Sequence, residues 1–454
     1  MSFQIKDNKK VLYRNLAVVA VPIALQSLIA SSLNLIDNLM VGALGEAELA
    51  AVGAGLQIYF ISMILTIGFS AGCSTFAAQF WGAADLPNIR KTCGFAITVC
   101  VGIGVLFFTA GIFFPEYIMR IFSNIPKIID LGSEYVRYGA PVFILLPLAT
   151  VIEMTLRATQ QTRLPLYISI ASFSINTFMN WVLIFGHFGF PAMGVKGAAI
   201  ATVTARLVEV LLCIFVLLIR KNILNGKIRE FFGWSREMMK RISKNSIPTM
   251  ANEGLWSLAT TMYVAAYARV GITEYAAYQA CESINRIFIM AAFSMGDAAL
   301  ILIGQKLGER RPEEAYSLSI VILRITAVMG VLMGGLMILL GDTMTGLFNF
   351  TEEGHRDAFL ILVVYGVIMT ANVLNGVIVV GILRSGGDTR FAMLMDTGTI
   401  WLIGVPMAFF ATMVMHWPVF IAVLMTSAEH VVKLMIGLKR VVSKKWLNNV
   451  ISGL

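Results

Sequence analysis

Long apolar runs separated by short polar ones account for nearly the whole chain. Twelve of these runs are long enough to cross a bilayer as helices, which takes about 20 residues. They fall at roughly 15–41, 51–80, 92–114, 133–155, 165–186, 195–219, 242–268, 275–302, 315–340, 358–382, 392–414 and 417–438. The longest polar connection, Arg220–Lys244, lies near mid-chain and leaves no room for a soluble domain. The pattern predicts an all-α membrane protein of twelve transmembrane helices.

A second regularity divides the twelve into two sixes. Leu156-Arg157 and Thr162-Arg163 after the fourth run return as Leu383-Arg384 and Thr389-Arg390 after the tenth, at an offset of 227 residues. Gln79 and Gly82 return as Gln305 and Gly308, Pro22 as Pro248, and Gly45-x-x-Glu48 as Gly271-x-x-Glu274, all at 226. Phe69-Ser70-x-Gly72 resembles Phe293-Ser294-x-Gly296 at 224. Matches at nearly one offset mark an internal duplication. An offset of six spans gives the halves parallel topology, with a pseudo-twofold axis along the membrane normal and a central cavity. The expected organisation is an N-lobe over residues 1–220, a cytoplasmic inter-lobe linker over 221–244, and a C-lobe with a short tail over 245–454.

Composition excludes the soluble classes: 58% of residues are hydrophobic and 13% charged, with mean hydropathy +0.79. The net charge of +9 is distributed by side. With the N-terminus inside, inner segments carry Lys6, Lys9, Lys10 and Arg14, then Arg90 and Lys91, then Arg157 and Arg163. They also carry the basic run within Arg220–Lys244, followed by Lys306, Arg310 and Arg311, Arg384 and Arg390, and Lys439, Arg440, Lys444 and Lys445. Outer loops hold only Arg120, Lys127, Arg269 and Arg356. Both termini are therefore expected in the cytoplasm, and the basicity reflects topology, not nucleic acid. No cleavable leader is expected. The five cysteines lie in apolar runs without a CxxC and read as free core thiols, and the four histidines are scattered, so no metal cluster is expected. Without GxxxxGK[ST] or HExxH, the sequence predicts neither an ATP motor nor an enzyme, and no catalytic residue or cofactor.

Several charges lie inside the runs. Asp37 is in the first, between Asn34 and Asn38. A carboxylate at membrane depth costs roughly 2.5–3.5 kcal/mol on insertion scales, so it needs a partner or a purpose. The bland alternative is a hydrogen bond that locks helices together. Glu253 in the seventh run shares a helical face with Trp256 and Thr260, with Tyr263 and Tyr267 further along. A carboxylate among aromatics can hold an organic cation. Glu282 and Arg286, Arg206 and Glu209, and Glu429 and Lys433 are three or four apart and read as helix-surface pairs, with Glu282 kept as a minor cavity candidate. Asp297, Asp396, Arg137 and Arg324 are assigned no role. The 25 methionines and 29 phenylalanines suit an adaptable cavity, though most must face lipid or core. Pro141, Pro147 and Pro406 permit kinks, and Gly330-x-x-x-Gly334 permits close helix packing.

The paired LRATQQTR and LRSGGDTR loops, the first-run stretch LIDNLMVGALGEAELAAVG, and NTFMNWVLIFG followed by GVKGAAIAT resemble the MATE (multidrug and toxic compound extrusion) family, in its NorM-like branch. The resemblance covers essentially the whole chain. It implies secondary antiport, in which organic cations or drugs leave as Na⁺ or H⁺ enters, by alternating access. It implies an ion-coupling set of Asp37, Asn176, Asn180 and Thr202, with Na⁺ as one candidate occupant at Asp37, Asn176 and Asn180. One charge with several neutral oxygens suits a hard monovalent cation, and the same carboxylate, desolvated, can carry a proton instead. For substrate or a second ion it implies Glu253. Some family members carry an acid in the tenth span, where this chain offers Asn372 and Asn375. Aligning Pro22 with Pro248 places Tyr263 opposite Asp37, so the fold is duplicated but the acids are not. The expected protein is a monomer of the plasma membrane, with drugs and membrane lipids as partners. A lipid-linked glycan flippase of the related superfamily, or a membrane-embedded enzyme, are the alternatives.

Overall fold

The computed structural model describes residues 3–219, 222–348 and 350–454. The side chains of residues 3–13, Asn34, 291 and 292 lie outside the described residues too, which takes in the basic Lys6, Lys9 and Lys10 as well as Arg220 and Lys221. All regular structure among the described residues is helical. The first half runs α1 (Phe3–Gly42), α2 (Glu46–Gly82), α3 (Leu86–Phe113), the short α4 (Pro115–Phe122), α5 (Pro126–Gly139), α6 (Val142–Ala158), α7 (Arg163–Phe185) and α8 (Gly194–Leu218). After the single turn α9 (Ile228–Phe231), the second half runs α10 (Arg236–Tyr267), α11 (Ile272–Gly308), α12 (Pro312–Thr345) and α13 (Glu352–Gly376). It ends with α14 (Thr389–Thr399), α15 (Val405–Phe409) and α16 (Val419–Val442). Three π-helical stretches, Val377–Leu383, Ile400–Gly404 and Phe410–Val414, interrupt this second half.

The helices stand where the hydropathy places them. Ten spans among the described residues are long and apolar enough to cross a membrane. An eleventh, expected as one run at 133–155 with kinks permitted at Pro141 and Pro147, is α5 and α6 bent by 50°. The break falls at Pro141, which has no N–H to continue the helical ladder, and its carbonyl instead starts the new helix by accepting from Leu145 N at 3.1 Å. The twelfth, α10, has 32 residues but is more polar, because basic and amide side chains fill its first turns.

The chain forms two compact units. One is Val21–Met250; the other is Ala251–Gly453 together with the chain up to Ala20. Both divisions fall inside helices, beside Pro22 in α1 and Pro248 in α10, which the 226-residue offset relates. In the N-terminal unit α7 lies along α8, joined through Val182, Leu183 and Ala201, and small residues of α8 (Ala198, Ala199, Ala205) let the helices approach. In the C-terminal unit α12 meets α13 at the Gly330-x-x-x-Gly334 face. A Cβ on Gly334 would overlap the Gly366 carbonyl, whereas one on Gly335 would meet nothing within 4 Å. Gly334→Ala should therefore cost about 1–3 kcal/mol of stability, read as a lowered midpoint of thermal unfolding in detergent. Gly335→Ala is the control and should leave the midpoint unchanged; equal shifts would show that the close approach does not matter.

Candidate functional site

A cavity of about 400 Å3 opens inside the N-terminal unit. Asp37 comes from α1, Asn176 and Asn180 from α7, and Thr202 from α8, and all four line it. Asn176 and Asn180 are one turn apart, so they present their amides on one face. Asn180 Nδ2 donates to Asp37 Oδ1 at 2.6 Å and to Asn176 Oδ1 at 3.0 Å. Both asparagines are 1% exposed, while Asp37 is only partly buried and faces the cavity. The Asn180 Oδ1 is buried with no hydrogen-bond partner among the described residues, which leaves an acceptor beside the carboxylate. Thr202 donates to Ala198 O at 3.0 Å, as hydroxyls in spanning helices do, and lines the cavity beside Tyr135. Tyr59, Phe60, Met63 and Tyr135 supply a soft aromatic wall, with Tyr59 stacked on Phe143 at 4.5 Å.

A charged network continues from this cavity into the unit. Arg206 lines the cavity and pairs with Glu209 at 2.6 Å. The expectation of a helix-surface pair is corrected here: Glu209 is 5% exposed, covered because α7 lies on α8, and it also accepts from Ser172 Oγ at 3.2 Å. Gln26 on α1 donates to Glu153 Oε2 at 2.8 Å and Ser169 Oγ at 2.7 Å, and accepts from Arg157 at 2.7 Å. Arg157, one of the basic residues of the inner segments, thus ties α6 to α1.

The C-terminal candidates occupy separate places. Glu253 accepts from Arg384 Nη2 at 2.7 Å, and that guanidinium is buried. Among the described ion pairs this is the partner of Glu253, so its charge is met by an arginine. Tyr267 is buried with its hydroxyl 2.7 Å from Thr426 Oγ1, a packing role, and Tyr263 stacks on it at 6.2 Å. Trp256 is exposed. Glu282 pairs with Arg286 at 3.3 Å and accepts from Tyr365 Oη at 3.2 Å. Asn375 Nδ2 donates to His430 O at 2.8 Å, and Asn372 is half-buried.

The Glu429 and Lys433 pair, expected on a helix surface, is buried at 2% and 4% exposure. The face of α16 that bears it lies against α14 and the π-helical stretch Ile400–Gly404. Lys433 Nζ sits 2.8 Å from Asp396 Oδ1 and 3.7 Å from Glu429 Oε1, and Asn252 Nδ2 donates to Asp396 Oδ2 at 3.1 Å. The signal that would have found this cluster was present in the duplication. At an offset of 227, Ser169 corresponds to Asp396, Arg157 to Arg384, Thr202 to Glu429 and Arg206 to Lys433. At 226, Gln26 corresponds to Asn252 and Asp37 to Tyr263.

A polytopic helical chain with a duplicated half and a carboxylate-bearing intramembrane cavity has the architecture of a secondary transporter. The sequence profile of the MatE family matches residues 22–182 and 246–410, one segment in each half, and the chain belongs to that family. Its members are transporters and not enzymes. A "Probable multidrug resistance protein YoeA" of Bacillus subtilis is 26% identical over 418 residues, 89% of this chain and 88% of the relative. A "Probable multidrug resistance protein NorM" of Thermotoga maritima is 22% identical over 89% of this chain and 86% of its own. Among solved structures, one described as "Crystal structure of MATE in complex with MaL6" superposes with a TM-score of 0.85 over 96% of this chain and 97% of its own, at 19% identity. A MOP superfamily transporter from Pyrococcus furiosus, described as having reverse polarity of its binding pocket, gives 0.84 at the same coverage and 18% identity.

The Arg384 contact makes a specific forecast for Glu253. Glu253→Gln should cost about 2–3 kcal/mol, because it removes the carboxylate hydrogen-bonded to a buried guanidinium. Glu253→Gln combined with Arg384→Gln should recover much of the loss. Detergent unfolding of the three variants measures both effects, and additive losses would show that the pair is not coupled.

Proposed function

We propose that the chain is a multidrug antiporter that exports organic cations in exchange for Na⁺ or H⁺, with Asp37 as the coupling carboxylate. The observation that carries this reading is that Asp37 is the one carboxylate lining the N-terminal cavity among the described residues, and is held there by Asn180. Asn176, Asn180 and Thr202 add neutral oxygens around it, enough to replace part of a Na⁺ hydration shell. The aromatic and methionine wall suits flat cations of varied shape, held by charge and ring faces. Drug and ion then draw on one negative charge. An entering ion that neutralises Asp37 weakens the hold on the drug, and this difference in affinity between states is what drives exchange. The relatives named as multidrug resistance proteins support the substrate class. Both termini lie in the cytoplasm on this reading, which the distribution of basic residues supports.

Asp37→Asn should abolish drug resistance in a host lacking its own pumps, with expression at the membrane unchanged; retained resistance would remove Asp37 from the coupling role. In proteoliposomes, a Na⁺ gradient at fixed pH and a pH gradient without Na⁺, applied in turn, identify the coupling ion. At least one should drive uptake of a fluorescent cation in the wild type and neither in Asp37→Asn.

A further inference from the structure

The C-terminal unit holds a buried group of charges that the transport reading does not use. Lys433 is seated on Asp396, whose second oxygen is occupied by Asn252. That pair is closed and neutral. Glu429, one turn before Lys433 on α16, is the charge left over. Its Oε1 lies 3.7 Å from the ammonium, and its Oε2 is buried with no hydrogen-bond partner among the described residues. The Tyr263 hydroxyl is the group that faces that oxygen, without a well-formed hydrogen bond to it, and both atoms close over Gly404, where a Cβ would come within 2.9 Å of Glu429 Oε2. The other charged or titratable groups around this point are His430 on α16, Tyr267 on α10 and Tyr278 on α11, with Glu282 beyond Tyr267 and Arg384, paired with Glu253, on the side of Asp396. His430 Nδ1 is 3.7 Å from Glu429 Oε1. Two carboxylates therefore share one ammonium, and the Glu253–Arg384 pair is already balanced.

The duplication adds an independent observation. In the N-terminal unit Asp37 and Thr202 line one cavity. Their counterparts by offset are Tyr263 and Glu429, which meet at Gly404. The acid is kept at the duplicated place but moved to the opposite wall. Arg206, the basic residue one turn beyond Thr202, is kept as Lys433 one turn beyond Glu429.

We propose that Glu429 is a second coupling carboxyl, which takes up and releases one proton in the C-terminal unit. This rests on the reading of the chain as an ion-coupled transporter. The chemistry selects a proton over Na⁺. A metal cation on Glu429 would have to sit beside the Lys433 ammonium, whereas a proton bonds covalently to the buried oxygen and cancels its charge. The step needs only water as proton acceptor: the carboxyl O–H breaks, the proton passes to water, and the carboxylate that remains draws Lys433 from Asp396. The ammonium lies between two acceptors 2.8 and 3.7 Å away, so a small displacement exchanges its partner.

Infrared difference spectroscopy of the purified full-length protein, between acidic and alkaline buffer, reads carboxyl protonation without transport. The wild type should show a protonated-carboxyl band that Glu429→Gln removes and Asp37→Asn does not. In proteoliposomes, Glu429→Gln should cut pH-gradient-driven efflux of a fluorescent cation at least tenfold. A band unchanged in Glu429→Gln overturns the proposal. A wild type with no gradient-driven efflux, but with the Glu429 band present, overturns the transport reading while upholding the titrating site. If Glu429→Gln does not fold, Glu429→Asp serves: the band should persist with a displaced titration midpoint, and an unchanged midpoint overturns the proposal.

Discussion

Charge inside a bilayer must be met, and the interior of this protein is arranged around that requirement. Water is absent from the hydrocarbon region, so each buried carboxylate or guanidinium needs a partner within hydrogen-bond reach. Asp37 has Asn180, Glu209 has Arg206 and Ser172, Glu253 has Arg384, and Asp396 has Lys433 and Asn252. These contacts join helices distant in sequence, such as α1 to α7 and α10 to α14. They therefore fix which helices may be neighbours, while apolar packing fills the space between them. In lipid, apolar surfaces alone discriminate poorly among partners, because the solvent is as apolar as the helix face.

The two halves meet the requirement differently on a shared framework. The arginines of the repeated loops, Arg157 and Arg384, each reach back to the first helix of their unit, at Gln26 and Glu253 respectively. In one unit the acid beside this arginine comes from α6 as Glu153; in the other it comes from α10. The backbone scaffold tolerates the exchange because only the location of the charge matters to its partner, not the helix that supplies it. A duplicated fold can thus diverge in ion chemistry without changing its helix packing.

Much of this was legible in the sequence. Run length gave the spans, offset matches gave the halves, and Asp37 stood out as a charge without local company. The bend at α5 and α6 was signalled by Pro141, but its angle depends on packing. The burial of the Glu429 and Lys433 pair against Asp396 was not legible, because spacing of three or four residues describes proximity along one helix and says nothing about what covers it. The face of α16 is covered by a π-helical stretch, whose changed register no hydropathy pattern reveals. Glu253 was read with the aromatics of its own helix, but its partner came from a loop-proximal arginine 131 positions away.

The π-helical stretch Val377–Leu383 has a consequence for how the chain could have diverged. The offset between halves is 226 at Gln79 and Gln305 and 227 at Arg157 and Arg384, so the later half carries one additional residue in that interval. The stretch lies inside the same interval, immediately before Arg384, where the equivalent part of α6 is plain α-helix. A π turn is how a helix absorbs a single inserted residue without rotating everything that follows. Insertions are usually confined to loops. Here a spanning segment can carry one and still deliver its arginine to the first helix of its half, which makes the membrane-embedded part of this lineage open to change in length as well as in side chain.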